Sequence, residues 1–233
     1  MDNEVKSVEK NNSFDFKTTI MNCITFILAV ALKPVNAFKS KVKDYSDFKS
    51  AGILVLFVSL AKMVINLLGT MISTVFVKQK NFFSGETKFT VDFENLKDLN
   101  YFDLIIKNVF WSIVIIAAVA GVYYIVSMIM KKSVNYFRVA SITAVSFAPV
   151  FVATFAGTII AYIYAPLSVF LIFASFIYSL LIFIHAIDAE VDFKDADYKV
   201  YFHAICITAM FIIAYYIFSS MLGNLFSLSS LLK

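Results

Sequence analysis

The stretch Val109–Val126, VFWSIVIIAAVAGVYYIV, runs for eighteen residues without a charge and decides the fold. As an α-helix it extends about 27 Å at ~1.5 Å per residue, close to the ~30 Å of hydrocarbon in a bilayer. A helix closes its own backbone hydrogen bonds, which lipid demands because no water is there to satisfy them. The sequence on either side repeats the pattern. Apolar runs occupy about Ala51–Val77, Leu104–Met130, Val139–Tyr162, Pro166–Ile187 and Phe202–Leu225, each long enough to cross a membrane. The ~10-residue alternating segments of a membrane β-barrel are absent. The fold class is therefore all-α: a polytopic bundle of five transmembrane helices.

Composition agrees. Hydrophobic residues make up 61% of the 233 and charged residues only 15%, against ~25% in soluble domains. The net charge of +4 raises the question of nucleic acid. The basic residues adjoin hydrophobic spans instead of forming a groove-sized patch, so an anionic leaflet is the expected partner and nucleic acid is not. Cys23 and Cys206 both sit among apolar neighbours, without CxxC or Cys/His spacing, and read as buried free thiols. No cleavable leader is read. Residues 1–19 form a polar tail of mixed charge, and the apolar run Ile20–Leu32 ends at Lys33-Pro34 instead of a small-residue cleavage site.

That first run is short for a span, and Pro34 removes a backbone donor. The reading taken is an interfacial or shallow re-entrant helix, with a sixth span as the open alternative. Residues 35–49 then place Val35, Phe38, Val42, Tyr45 and Phe48 along one side. Lys39, Lys41, Lys43 and Lys49 reach for anionic headgroups, as in an interfacial helix. The division expected is a tail over 1–19, a short apolar and basic amphipathic segment over 20–50, a membrane domain over 51–225 and a carboxy-terminal tail over 226–233.

The connections set orientation. Residues 79–103 form a polar loop with Gly85 as a breaker, and the next connection carries Lys131, Lys132 and Arg138 with no acid. Residues 188–201 hold Asp188, Glu190, Asp192, Asp195 and Asp197 against Lys194 and Lys199. Placing residues 35–50 inside puts thirteen Lys/Arg on the inner side and six on the outer. Positive residues near span ends set topology, so the carboxyl terminus is expected outside.

Lys62 lies near the middle of the first long span, where an ionisable group is costly and a functional candidate by default. Asn66 and Gly69 share its helical face, with Ser59 flanking it, so these residues form a polar seam. A snorkelling or carbonyl-paired lysine is the competing structural reading. The acids are confined to tails and loops, which weakens an ion-coupled transporter. Two small-residue series in the third span, Ala140-Ala144-Ala148 and Ala153-Gly157-Ala161, flank Pro149, and Ala117 and Gly121 repeat the spacing in the second. Such faces let helices approach closely, and Pro149 is a candidate kink. His185, Asp188 and Glu190 close the fourth span and His203 opens the fifth. Without ligand spacing such as HExxH they read as ordinary solvated groups, and no metal or cofactor is assigned. Walker A, GxGxxG, GxSxG and CxxCH patterns are absent, and Ser227, Ser229 and Ser230 have no visible base.

Several local patterns are similar to those of the Yip family, the Rab/Ypt-interacting membrane proteins and their prokaryotic relatives. They are Lys33-Pro34 followed by Phe38, the amphipathic stretch before the first long span, Ala144-Val145-Ser146-Phe147-Ala148-Pro149 in the third, and Phe176-Ile177-Tyr178 with His185 in the fourth. The resemblance covers roughly residues 20–225. It implies a five-span domain, a cytoplasmic amino-terminal region and a carboxyl terminus on the opposite side. It also implies a non-enzymatic role: eukaryotic members act in vesicle trafficking and membrane shaping through oligomers and small GTPases, and prokaryotic members lack a Rab system. The short tail here leaves little surface for those cytoplasmic partners. The Lys, Asn, Ile and Phe bias points to an AT-rich genome and a bacterial plasma membrane. The expected activity is that of a membrane scaffold or adaptor, contacting lipid, a second copy or another membrane protein. A small-solute transporter or permease subunit built on Lys62 and Asn66 is the alternative.

Overall fold

A computed structural model describes residues 16–80, 87–191, 193 and 195–225. Gly85, Asp192, Lys194 and the serines beyond residue 225 lie outside the described residues, as does most of the first tail. Among the described residues eight α-helices follow one another: α1 (Phe16–Leu32), α2 (Pro34–Lys41), α3 (Phe48–Val75), α4 (Tyr101–Ile129), α5 (Tyr136–Ser146), α6 (Ala148–Ile163), α7 (Ala165–Glu190) and α8 (Ala196–Leu225). Five segments among the described residues are long and apolar enough to span: α3, α4, α5 with α6, α7, and α8 through Tyr215. The bundle expected from the apolar runs is present, preceded by the shorter apolar helix α1.

Local chemistry explains the boundaries. Pro34 at the first position of α2 disfavours helical backbone at Lys33, which adopts φ −143° and ψ 67° and turns the chain between α1 and α2. The amphipathic segment is not one continuous helix. After α2 it tightens into a 3-10 turn over Val42–Tyr45, and Asp47 then caps α3 by accepting from the backbone N–H groups of Lys49 and Ser50. Phe38, Val42 and Tyr45 are buried, whereas Val35 and Phe48 are exposed. Phe26 of α1 fills the space beside them, edge-on to Phe38 at 5.8 Å and stacked on Tyr45 at 5.1 Å. The apolar side of this segment thus packs on protein. Lys39, Lys43 and Lys49 are exposed and Lys41 partly so.

The third span is broken at Phe147, with Pro149 in the first turn of α6. Pro149 has no N–H to offer the carbonyl of Val145, which accepts from Phe147 instead. The two halves differ sharply in burial. Val139–Ser146 of α5 is buried without interruption, packed among α1, α3, α4 and α7, whereas α6 buries only Ala153 and Gly157. Small side chains permit this crowding, since packing contacts must replace the hydrophobic drive that lipid removes.

Between α3 and α4 lies an unexpected antiparallel hairpin, β1 (Phe76–Lys80) with β2 (Thr87–Val91), in the register Phe76 to Val91. The bundle therefore has two distinct ends. At the hairpin end α6 turns into α7, and the ring of Tyr162 packs on Phe76 at 6.0 Å. At the opposite, basic end, Asn135 donates to the Ser46 carbonyl at 2.9 Å and the Tyr198 hydroxyl to the Met130 carbonyl at 3.2 Å. The α1–α2 segment, the 131–138 connection and the acidic 188–201 connection share that end.

Candidate functional site

The polar seam divides into two environments. Antiparallel helices bring residues at equal depth together. Asn66 stands about 14 Å before the end of α3, and Asn108 about 11 Å into α4. The Asn66 amide donates to Asn108 Oδ1 at 2.8 Å, and the Asn108 amide donates to the Leu104 carbonyl at 2.8 Å. Asn66 is thus occupied in tying α3 to α4. Sequence reasoning missed Asn108; counting residues back from the α3–α4 connection was the signal available. Gly69 is buried, and a Cβ there would meet the Thr158 hydroxyl at an ordinary 3.6 Å.

Lys62, one turn earlier, faces something else. Its ammonium lies 5.6 Å from the centroid of the Phe151 ring, within cation–π range. Among the described residues it forms no salt bridge. It lines a groove of about 430 Å³ bounded by α3, α4, α5, α6, α7 and α8. The walls are hydrocarbon, with Ile116, Phe147, Phe176 and Met210 contributing on four sides. Apart from Lys62, the polar side chains lining it are Ser112 and Thr143. Thr143 donates to the Val139 carbonyl at 2.8 Å, whereas the Ser112 hydroxyl is buried without a hydrogen-bond partner among the described residues. Asn66 and Gly69 do not line this groove.

The small residues are distributed unevenly. Ala140 and Ala144 are buried in α5, and Ala153 and Gly157 in α6; Ala148, Pro149 and Ala161 are half-buried. At Gly157 a Cβ would stand 3.0 Å from both Ile172 Cδ1 and Ser168 Oγ, so α7 crosses here at glycine distance. Ala117 is half-buried and its carbonyl accepts from the Tyr136 hydroxyl at 3.3 Å. Gly121 is different: a Cβ there would meet nothing within 4 Å. In α4 the buried face runs instead through Ile116, Ala120 and Tyr123.

Two acids at the basic end, Asp188 and Glu190, are held by cations of the protein itself. Arg138 binds Glu190 at 2.8 Å, and Asp188 accepts from Lys199 at 2.5 Å and faces His203 Nε2 at 2.8 Å. The other ring nitrogen of His203 lies 3.4 Å from the buried Tyr123 hydroxyl. This relay joins α4, α7 and α8. His185 is exposed and takes no part. Among the described residues no three His, Cys, Asp or Glu side chains are grouped to hold a metal ion.

A comparison with known families covers the five apolar spans and the Ala-Pro break in the third: the Yip1 domain matches residues 28–218. The chain belongs to the Yip1 domain family. That match covers all but the ends of the bundle, including the Lys33-Pro34 turn, the Lys62 groove and the acidic connection. No curated protein and no solved structure matches the chain. As a Yip1 domain member it is a multi-pass membrane protein, and its outward helix faces contact the bilayer.

Proposed function

We propose that this chain is a non-enzymatic membrane scaffold or adaptor of the Yip type, working through contacts with lipid and with helices of a second copy or another membrane protein. The observation that carries the reading is the use made of the seam. Asn66 is engaged by Asn108 across α3 and α4, which makes the seam a helix-pairing device. A solute path would instead need polar groups lining a continuous cavity, yet the space beside Lys62 is walled by hydrocarbon and stops short of Asn66. The charged pairs at the basic end likewise fasten helices together, and they leave α7 with an outward row of Phe170, Phe173 and Ile177 for contact.

The orientation proposed follows the lysine count: residues 35–50 and the basic end on the cytoplasmic side of a bacterial plasma membrane, the carboxyl terminus outside. Lys39, Lys41, Lys43 and Lys49 then hold the approach segment to anionic headgroups.

Reconstitution tests the activity. A photoreactive amino acid at Phe173 is expected to yield a discrete crosslinked species between copies or with one membrane protein. Solute flux through proteoliposomes is expected to be absent. Flux that disappears in Lys62→Ala, with only lipid adducts at position 173, would replace this reading by the transporter.

A further inference from the structure

The scaffold reading leaves the groove itself unexplained. It lies at mid-depth: Lys62 is about 20 Å from either end of α3, and Ser112 about 17 Å from the hairpin end of α4. Two groups in it lack the partners expected of them. Among the described residues the Lys62 ammonium has only the face of an aromatic ring, and the Ser112 hydroxyl, on a residue 4% exposed, has no hydrogen-bond partner. A buried hydroxyl left unsatisfied is costly, and a cation in hydrocarbon more so, so both call for an acceptor inside the groove. The surrounding wall calls for a hydrocarbon chain.

We infer that the groove binds a single-chain carboxylate, a long-chain fatty acid, whose tail lies along the apolar wall while its carboxylate pairs with Lys62 and accepts from Ser112. Three features select this occupant. The charge required is negative and the number of donors is small, which fits one carboxylate. A volume of about 430 Å³ falls within the ~300–1,000 Å³ of small-ligand pockets, whereas a helix ~10 Å wide and ~30 Å long displaces several times more. Depth excludes a phospholipid head: its phosphate is anchored about 15 Å from the bilayer centre, at the edge of ~30 Å of hydrocarbon. A free acid has no glycerol or second chain holding its head at the interface, so pairing with Lys62 draws its single carboxylate to the depth of the groove. This inference goes beyond the scaffold reading and stands whether or not the protein associates with others.

The test uses the full chain in an uncharged detergent with radiolabelled oleate, with oleyl alcohol and dioleoyl phosphatidic acid as competitors. Wild-type protein is expected to hold one oleate, with each competitor at least tenfold weaker. Lys62→Gln should weaken oleate at least tenfold and remove its advantage over the alcohol, while Lys62→Arg retains it. Ala214→Trp, which fills the groove from α8 and leaves Lys62 in place, should abolish binding of both chains. Equal oleate affinity in wild type and Lys62→Gln overturns the inference, and so does binding that survives Ala214→Trp. Equal competition by phosphatidic acid does the same. Carbodiimide coupling of Lys62 to an acid of another polypeptide in native membranes, with no oleate bound by the purified protein, assigns the groove to a partner helix instead.

Discussion

Gly157 and Gly121 occupy similar sequence settings, a small residue within a spanning helix, and the structure gives opposite consequences for filling them. At Gly157 a new Cβ would sit 3.0 Å from Ile172 Cδ1 and Ser168 Oγ and 3.1 Å from Ile172 Cγ1. Ordinary carbon contacts lie at about 3.5–4.0 Å, so α7 or its side chains must yield by ~0.5 Å. The short turn at Tyr164 couples α6 to α7 and leaves little room to slide. Overpacking of this kind costs about 1–3 kcal/mol. For Gly157→Ala the gain of ~1 kcal/mol in helix propensity offsets much of that, and the net effect is small. Gly157→Leu adds three further carbons and falls at the upper end, about 3 kcal/mol. At ~2–4 °C per kcal/mol for a chain of this size, it melts about 6–12 °C lower. Gly121→Ala meets no atom within 4 Å and keeps the propensity gain. The protein supplies its own reporter, since Cys23 and Cys206 are 1% and 0% exposed. A thiol-reactive dye therefore becomes fluorescent only as the bundle opens. A Gly157→Leu protein that melts with the wild type, or a Gly121→Ala protein that falls as far as Gly157→Leu, would refute the assignment of the α6–α7 crossing.

The same dye assay checks the polar contacts. Arg138→Leu leaves Glu190 buried without its cation and lowers stability by about 3 kcal/mol, and the Arg138→Leu/Glu190→Leu pair recovers most of it. A double-mutant cycle of Asn66→Leu and Asn108→Leu yields a coupling of about 0.6 kcal/mol and not above ~1.7 kcal/mol. Hydrogen bonds from Ser50 hold the Asp47 carboxyl below the usual carboxylate range. Its contribution to capping α3 is therefore present throughout neutral pH and is lost only as pH falls through that lowered value. Asp47→Asn retains much of the cap and Asp47→Ala loses it, read as melting temperature at pH 7. Replacing Lys39, Lys41, Lys43 and Lys49 by Gln lowers the anionic lipid that copurifies with the chain, measured by lipid mass spectrometry.

The spans were legible because each is an apolar run that admits few alternatives in lipid, and the break at Pro149 because proline withdraws a donor at a known place. The hairpin over 76–91 was not legible. Its strands are short and polar, and nothing in residues 79–103 alternates strongly enough to mark them. Residues 35–49 showed the middle of the apolar stripe, Phe38, Val42 and Tyr45, but neither the exposure of Val35 and Phe48 nor the partner, since only the fold brings Phe26 against Phe38 and Tyr45. For the same reason Lys62 and Asn66 read as one seam. They share a face of α3, but the neighbours differ from turn to turn, an asparagine on α4 for one and an aromatic ring on α6 for the other. The ion pairs at the basic end were hidden because Arg138 and Glu190 are separated by two spans.

The break at Phe147 divides the molecule by stiffness. Toward the basic end, α5 is enclosed on every side and bordered by ion pairs; toward the hairpin end, α6 and α7 form an outward pair held to the rest through a few small residues. Local opening follows the density of buried contacts. A bilayer that thins or thickens will therefore deform the α6–α7 pair first and leave the α5 half in register. The pivot between them, Phe147, is also a wall of the Lys62 groove, so a shift of the α6–α7 pair against α5 changes the width of that groove.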